Sequence, residues 1–151
     1  MGRWGRSVCA LLAVVVVGCG EGGGVADDAT VSVYVGAPLC REAQQSLARA
    51  DGRAGDLRVR AVCVDDTGTG DSSLATVAAA ARSATEDSTA IAYIGTPDPT
   101  AIRFSEPILE EADIARIAAS CGAAGMSQLL QALRNADTSS SLREALRDEL
   151  G

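Results

Sequence analysis

Thr30-Val31-Ser32-Val33-Tyr34-Val35 is short and rich in β-branched residues, the composition of a strand, and the helix and second strand that come after it decide the fold. Gly36-Ala37-Pro38 breaks the run. From Leu39, apolar residues recur at Leu39, Ala43, Leu47 and Ala50, a spacing of about four that predicts a helix with one buried face, ended by Asp51-Gly52. Leu57 to Val64 reads as the second strand and leads into the turn Asp65-Asp66-Thr67-Gly68-Thr69-Gly70. A helix from about Ser72 places Leu74, Val77, Ala78 and Ala81 on one face, and Thr89 to Ile94 is the third strand.

The alternation continues to the end of the chain. After the loop Thr96-Pro97-Asp98-Pro99-Thr100 a helix is expected from about Ala101 through Phe104, Ile108 and Leu109, with Pro107 as a potential kink. Ile114 to Ala118 is a fourth, weaker strand. Two closing helices carry Met126, Leu129, Leu130 and Leu133, then Leu142, Ala145 and Leu146, the last opened by a capping box of Ser141 and Glu144. Strands separated by helices imply parallel pairing through right-handed crossovers. The expectation is an α/β fold: a single Rossmann-like lobe whose parallel sheet of about four strands is flanked by helices on both faces. Ligands in such sheets sit beyond the carboxyl ends of the strands. That directs attention to the loops Gly36 to Cys40, Asp65 to Ser73, Gly95 to Ala101 and Ser120 to Gly125.

Residues before Thr30 read as processing and tether rather than fold. Arg3 and Arg6 precede a short apolar run, Val8 to Val17, too short for the ~20 residues that span a bilayer. It ends in Val16-Val17-Gly18-Cys19, which resembles the lipobox of bacterial lipoproteins, where the cysteine is acylated and becomes the N-terminus. An ordinary cleaved signal that happens to contain a cysteine is the alternative. The Gly-rich Gly20-Glu21-Gly22-Gly23-Gly24 and Val25-Ala26-Asp27-Asp28 suit a flexible tether. The expected organisation is therefore a signal peptide over 1–18, lipidated Cys19 and tether over 19–29, and the α/β lobe over 30–151, anchored extracytoplasmically on a bacterial membrane.

Composition removes whole classes of chemistry. The 151 residues contain no histidine, and all 13 basic residues are arginine. Imidazole bases, His–zinc sites, Schiff bases and the lysine-dependent phosphate loop are thereby excluded. A net charge of −7 without a basic cluster argues against nucleic acid as a partner. Of the 5 cysteines, Cys9 leaves with the signal and Cys19 carries lipid, so Cys40, Cys63 and Cys121 remain. An oxidising compartment permits one disulfide among them, and their spacing matches no metal site. Cys40 follows the first strand and Cys63 ends the second, so adjacent parallel strands bring these two together and leave Cys121 free.

Taken in order, the Val-rich first strand, Leu57-Arg58-Val59-Arg60-Ala61-Val62-Cys63-Val64-Asp65-Asp66, Ala92-Tyr93-Ile94-Gly95 and Glu106-Pro107-Ile108-Leu109-Glu110-Glu111-Ala112-Asp113-Ile114 resemble the first lobe of type I periplasmic binding proteins, of the branched-chain amino-acid ABC-transporter type. The resemblance covers roughly Val31 to Ser120, and Gly122 to Leu150 looks like the family's C-terminal helices, which pack back on that lobe. It implies a non-enzymatic solute-binding protein without cofactor. Its partners would be a small ligand such as an amino acid and an ABC permease. The family has two lobes, and here there is length for one, so a second copy is a further implied partner that would supply the missing face. An accessory surface lipoprotein that has lost ligand binding is the alternative function. Carried over by position, the implied ligand contacts are Thr100, the one hydroxyl among Pro99, Thr100 and Ala101, and Ser120 after the fourth strand.

Other motifs have simpler readings. Asp65-Asp66-Thr67 has a faint likeness to the nucleophile loop of haloacid-dehalogenase-like phosphatases, but Thr67 replaces the second aspartate and the required lysine does not exist. The pair is expected to cap its turn and the helix after it. Glu110-Glu111 is expected on a solvated helix face, and Phe104, Tyr34 and Tyr93 in the core or at a pocket edge.

Overall fold

The computed structural model describes residues 29–67, 71–136 and 141–150. In chain order they form β1 (Thr30–Gly36), α1 (Ala37–Arg49), β2 (Arg53–Ala54), β3 (Leu57–Val64), α2 (Asp71–Glu86), β4 (Ala90–Gly95), α3 (Pro99–Glu111), β5 (Ala115–Ala118), α4 (Gly122–Asn135) and α5 (Leu142–Leu150). The signal segment, Cys9, Cys19 and the tether as far as Asp28 lie outside the described residues, as do Gly68, Thr69 and Gly70.

The sheet has five strands in the order β2-β3-β1-β4-β5, one more than the sequence suggests. β1 pairs in parallel with β3 on one side and β4 on the other, and β5 extends the parallel set beyond β4. The additional strand, β2, is antiparallel to β3 and makes the sheet mixed. Its two residues are too few to show a period-two pattern in sequence. Backbone conformation creates it: Asp51, Gly52 and Gly55 all have positive φ. The first two reverse the chain after α1, and Gly55 opens the two-residue connection back into β3.

Helices cover both faces. Val31, Val33 and Val35 point to one side of β1 and meet Leu39, Ala43 and Leu47 of α1, Met126, Leu129 and Leu133 of α4, and Leu142 and Leu146 of α5. Tyr34 points to the other side, where Ala80, Ala81 and Ala84 of α2 join Tyr93, Leu109 and Ile114. Burying each large aliphatic side chain of these clusters contributes about 1.5–3 kcal/mol. Ser32, fully buried among them, is satisfied by the Thr89 hydroxyl at 2.7 Å and by Arg60 Nη2, which donates at 2.9 Å.

Several element ends shift from the sequence reading. α1 starts at Ala37 and α3 at Pro99, each with a proline in its first turn, where the missing N–H has no helical acceptor to lose. α3 runs on through Pro107 to Glu111. Phe104 is not in the core: α3 turns Ser105 and Leu109 inward and leaves the ring 41% exposed. Ser141 Oγ accepts from the Glu144 N–H at 3.4 Å, the first half of the expected capping box. Among the described residues no helix is long and apolar enough to cross a membrane.

Candidate functional site

The chain leaves β1 for β3 on one side and then returns to β4 on the other, so the loops beyond the carboxyl ends of β1, β3 and β4 diverge. A cleft of about 440 Å³ opens between the loops after β3 and β4. Thr67, Thr96, Thr100, Asp66 and Asp98 line it, together with Leu74, Val77 and Ala101.

Each polar residue owes its position to local chemistry. Asp98 is the N-cap of α3, its Oδ1 accepting from Ala101 N–H at 2.7 Å, which fixes Thr100 at the mouth of the helix. Asp65 closes an Asx turn, accepting from the Thr67 amide at 3.1 Å and its hydroxyl at 2.8 Å. Those bonds hold the Asp65 carboxyl below the ordinary aspartate range. Asp66 is turned inward instead. Its Oδ2 accepts from the Tyr93 hydroxyl at 3.2 Å, and its carboxylate lies against the Cα of Gly36, where a methyl group would stand 2.6 Å from Oδ1.

Burial raises the Asp66 pKa, opposed by the Tyr93 hydroxyl and then by the amides of Asp66 itself and Ala37. Oδ1 nevertheless ends buried without a hydrogen bond of ordinary geometry. The carboxylate thus stands at the start of α1, a helix whose own N-cap, Gly36, has no side chain to offer. Asp65 caps its turn as expected, the entry to the following helix at 68–70 lies outside the described residues, and Asp66 stands instead beside the start of α1, because β3 pairs with β1. Tyr93 is raised by the same burial and by the Asp66 charge. Behind them Arg116 donates through Nε to Ser105 Oγ and through Nη2 to Thr96 O, both at 2.9 Å, so the β4 loop is tied to β5. Burial lowers the Arg116 pKa, with Tyr93, Glu106 and Asp66 opposing.

Of the two residues carried over from the family resemblance, Thr100 lines the cleft and is exposed. Ser120 is exposed in the loop between β5 and α4 and is not among the residues lining that cleft. Sequence reasoning missed Thr67 and Thr96. Their signal was present as hydroxyls in loops that come after strands, but nothing local said which loops would face each other.

The thiols fall as expected. Cys40 and Cys63 form a disulfide with a Cα–Cα distance of 5.7 Å, linking the first turn of α1 to the end of β3. Cys121 is free and half-buried at the N-cap of α4. Glu42 Oε2 accepts from the Gly122 N–H at 3.1 Å, so α4 is also capped by a carboxylate borrowed from another element. Among the described residues no group of three or more His, Cys, Asp or Glu side chains is placed to hold a metal ion.

No protein-family model, curated protein or solved structure matches this chain.

Proposed function

We propose that the chain is a lipid-anchored, extracytoplasmic, non-enzymatic solute-binding protein, a Rossmann-like lobe of the type I periplasmic-binding kind that serves ABC-type uptake of an amino acid or similar small molecule. The observation that supports this best is the cleft beyond the strand ends. Thr67, Thr96 and Thr100 beside the Asp98-capped start of α3, with Leu74 and Val77, combine polar residues that can orient a ligand with an apolar surface to bury. Asp65 and Asp66 are committed to a turn and to Tyr93, so neither is poised as a phosphatase nucleophile.

An open cleft on one lobe supplies about half of the contacts of a closed two-lobed site. If the closed site were worth about −8 kcal/mol, one lobe leaves about −4 kcal/mol, a millimolar affinity. Tight binding then needs a second copy or another protein facing Thr100. The alternative, an accessory lipoprotein that has lost ligand binding, draws support from Ser120 not being among the residues that line the cleft.

Calorimetry and amide NMR with a panel of amino acids separate the two, with sedimentation to establish the oligomeric state. Saturable shifts at Thr67, Thr96 and Thr100, weakened about three- to tenfold by Thr100→Val, are expected. Absence of any such response at tens of millimolar (about −2 to −3 kcal/mol) refutes ligand binding.

A further inference from the structure

The second surface with a shape of its own lies at the opposite side of the sheet from the disulfide. β5 (Ala115–Ala118) is the last strand among the described residues and pairs only with β4. Just past it, the Ala119 N–H donates to Gly95 O at 2.9 Å. Backbone groups alternate sides along a strand, so Ala115 and Ile117 also face β4, while Arg116 and Ala118 direct their N–H and C=O groups to the free edge. Ala118 is exposed.

A groove of about 340 Å³ opens beside the first half of this edge, at Ile114, Ala115 and Arg116. α3 provides one wall with Glu106 and Glu110, α5 the other with Arg147 and Leu150. The two walls stand on opposite faces of the sheet, because α3 packs into the tyrosine-containing core and α5 into the valine-containing one. The basic groups of the groove are already engaged. Arg147 pairs with Asp113, and Arg116 is bonded to Ser105 and Thr96. Glu110 carries no ion pair among the described residues.

We propose that this edge receives an extended strand of another protein, with basic side chains at alternate positions toward Glu106 and Glu110 and apolar ones between them toward Leu150. Main-chain bonds to Arg116 and Ala118 would provide affinity, and the two unlike walls would set the orientation of the strand. A second copy fits less well. Antiparallel pairing of β5 with itself uses a two-fold axis perpendicular to the sheet, which keeps each face on its own side. It would set the α3 walls of both copies side by side, acid against acid.

The test is an amide-NMR titration of the protein with two short peptides, one alternating arginine with valine and one alternating glutamate with valine. The basic peptide should shift the Arg116 and Ala118 amides saturably and slow their exchange. Glu106→Gln with Glu110→Gln, both on exposed positions, should weaken it about tenfold. Ala118→Pro removes an outward N–H and should abolish binding. If that variant fails to fold, the glutamine pair decides. Equal binding of the acidic peptide, an unchanged affinity in the glutamine variant, or shifts elsewhere would overturn the proposal. Self-association that disappears in Ala118→Pro would assign the edge to a second copy and overturn the stated partner.

Discussion

Gly122→Ala tests the closest approach in the fold. α4 begins directly on α1: a methyl group at residue 122 would overlap the Leu39 carbonyl oxygen and stand 2.7 Å from the Ala43 nitrogen. Both are backbone atoms of a helical turn, so no side-chain rotation relieves the overlap. α4 must move outward, carrying Met126, Leu129 and Leu133 from the core and stretching the Gly122–Glu42 cap. Overpacking of this kind costs about 1–3 kcal/mol. Loss of the cap adds about 1 kcal/mol, and alanine's better helix propensity returns about 0.5–1 kcal/mol. The net is a loss of about 1–3.5 kcal/mol, which for a domain of this size lowers Tm by about 4–14 °C. Trp4 is the only tryptophan and lies outside the described residues, so urea and thermal unfolding should be followed by far-UV circular dichroism under oxidising conditions. Gly125→Ala is the comparison: its methyl meets Ile94 Cγ2 at 2.6 Å and Ala119 Cβ at 2.9 Å, a smaller overlap than that with the Leu39 carbonyl, and should lose less. A Gly122→Ala protein within about 0.5 kcal/mol of the parent would refute the reasoning.

Reduction of Cys40–Cys63, or Cys63→Ser, should cost about 3 kcal/mol by opening a loop of sequence separation 23; peptide mapping that pairs Cys121 instead would be inconsistent with this structure. Burial raises the Asp66 pKa above its ordinary 3.8, so its contribution to stability falls as pH rises from 3.8 through the folded value. Asp87 is lowered, first by the Thr89 hydroxyl, so its contribution is complete above 3.8 and lost as pH falls through its folded value. Carboxyl NMR titration should give Asp66 the higher midpoint of the two, and the reverse order rejects the burial assigned to it. Under the proposed anchoring, Cys19→Ala should release the protein from membranes, because two acyl chains at about 0.8 kcal/mol per methylene would be lost. A variant that still sediments with membranes after salt washing would count against the anchor.

Much of this architecture was legible in the chain itself. The β-branched runs at Val31, Val59 and Ile91 and the four-residue spacing of Leu39, Ala43 and Leu47 specify which backbone pairs laterally and which coils, because side-chain periodicity is a local property. The pairing of Cys40 with Cys63 was legible too, since Cys40 lies in the helical turn just after β1 and Cys63 near the carboxyl end of β3, the strand beside it.

Only the tertiary structure decided what depends on juxtaposition. β2 arises from three positive-φ residues acting together, and two residues cannot announce a strand. Thr67, Thr96 and Thr100 form one cleft only after β3 and β4 take opposite sides of β1. Phe104 looks like a core residue by hydropathy, yet the rotation of α3 is set by where Ser105 and Leu109 meet the sheet. Glu42 caps the Gly122 N–H of α4 across 80 positions of sequence, and Asp66 packs against Gly36 at the start of α1. The sequence says where a carboxylate stands along the chain, while the helix end it faces is determined by which elements pack beside it.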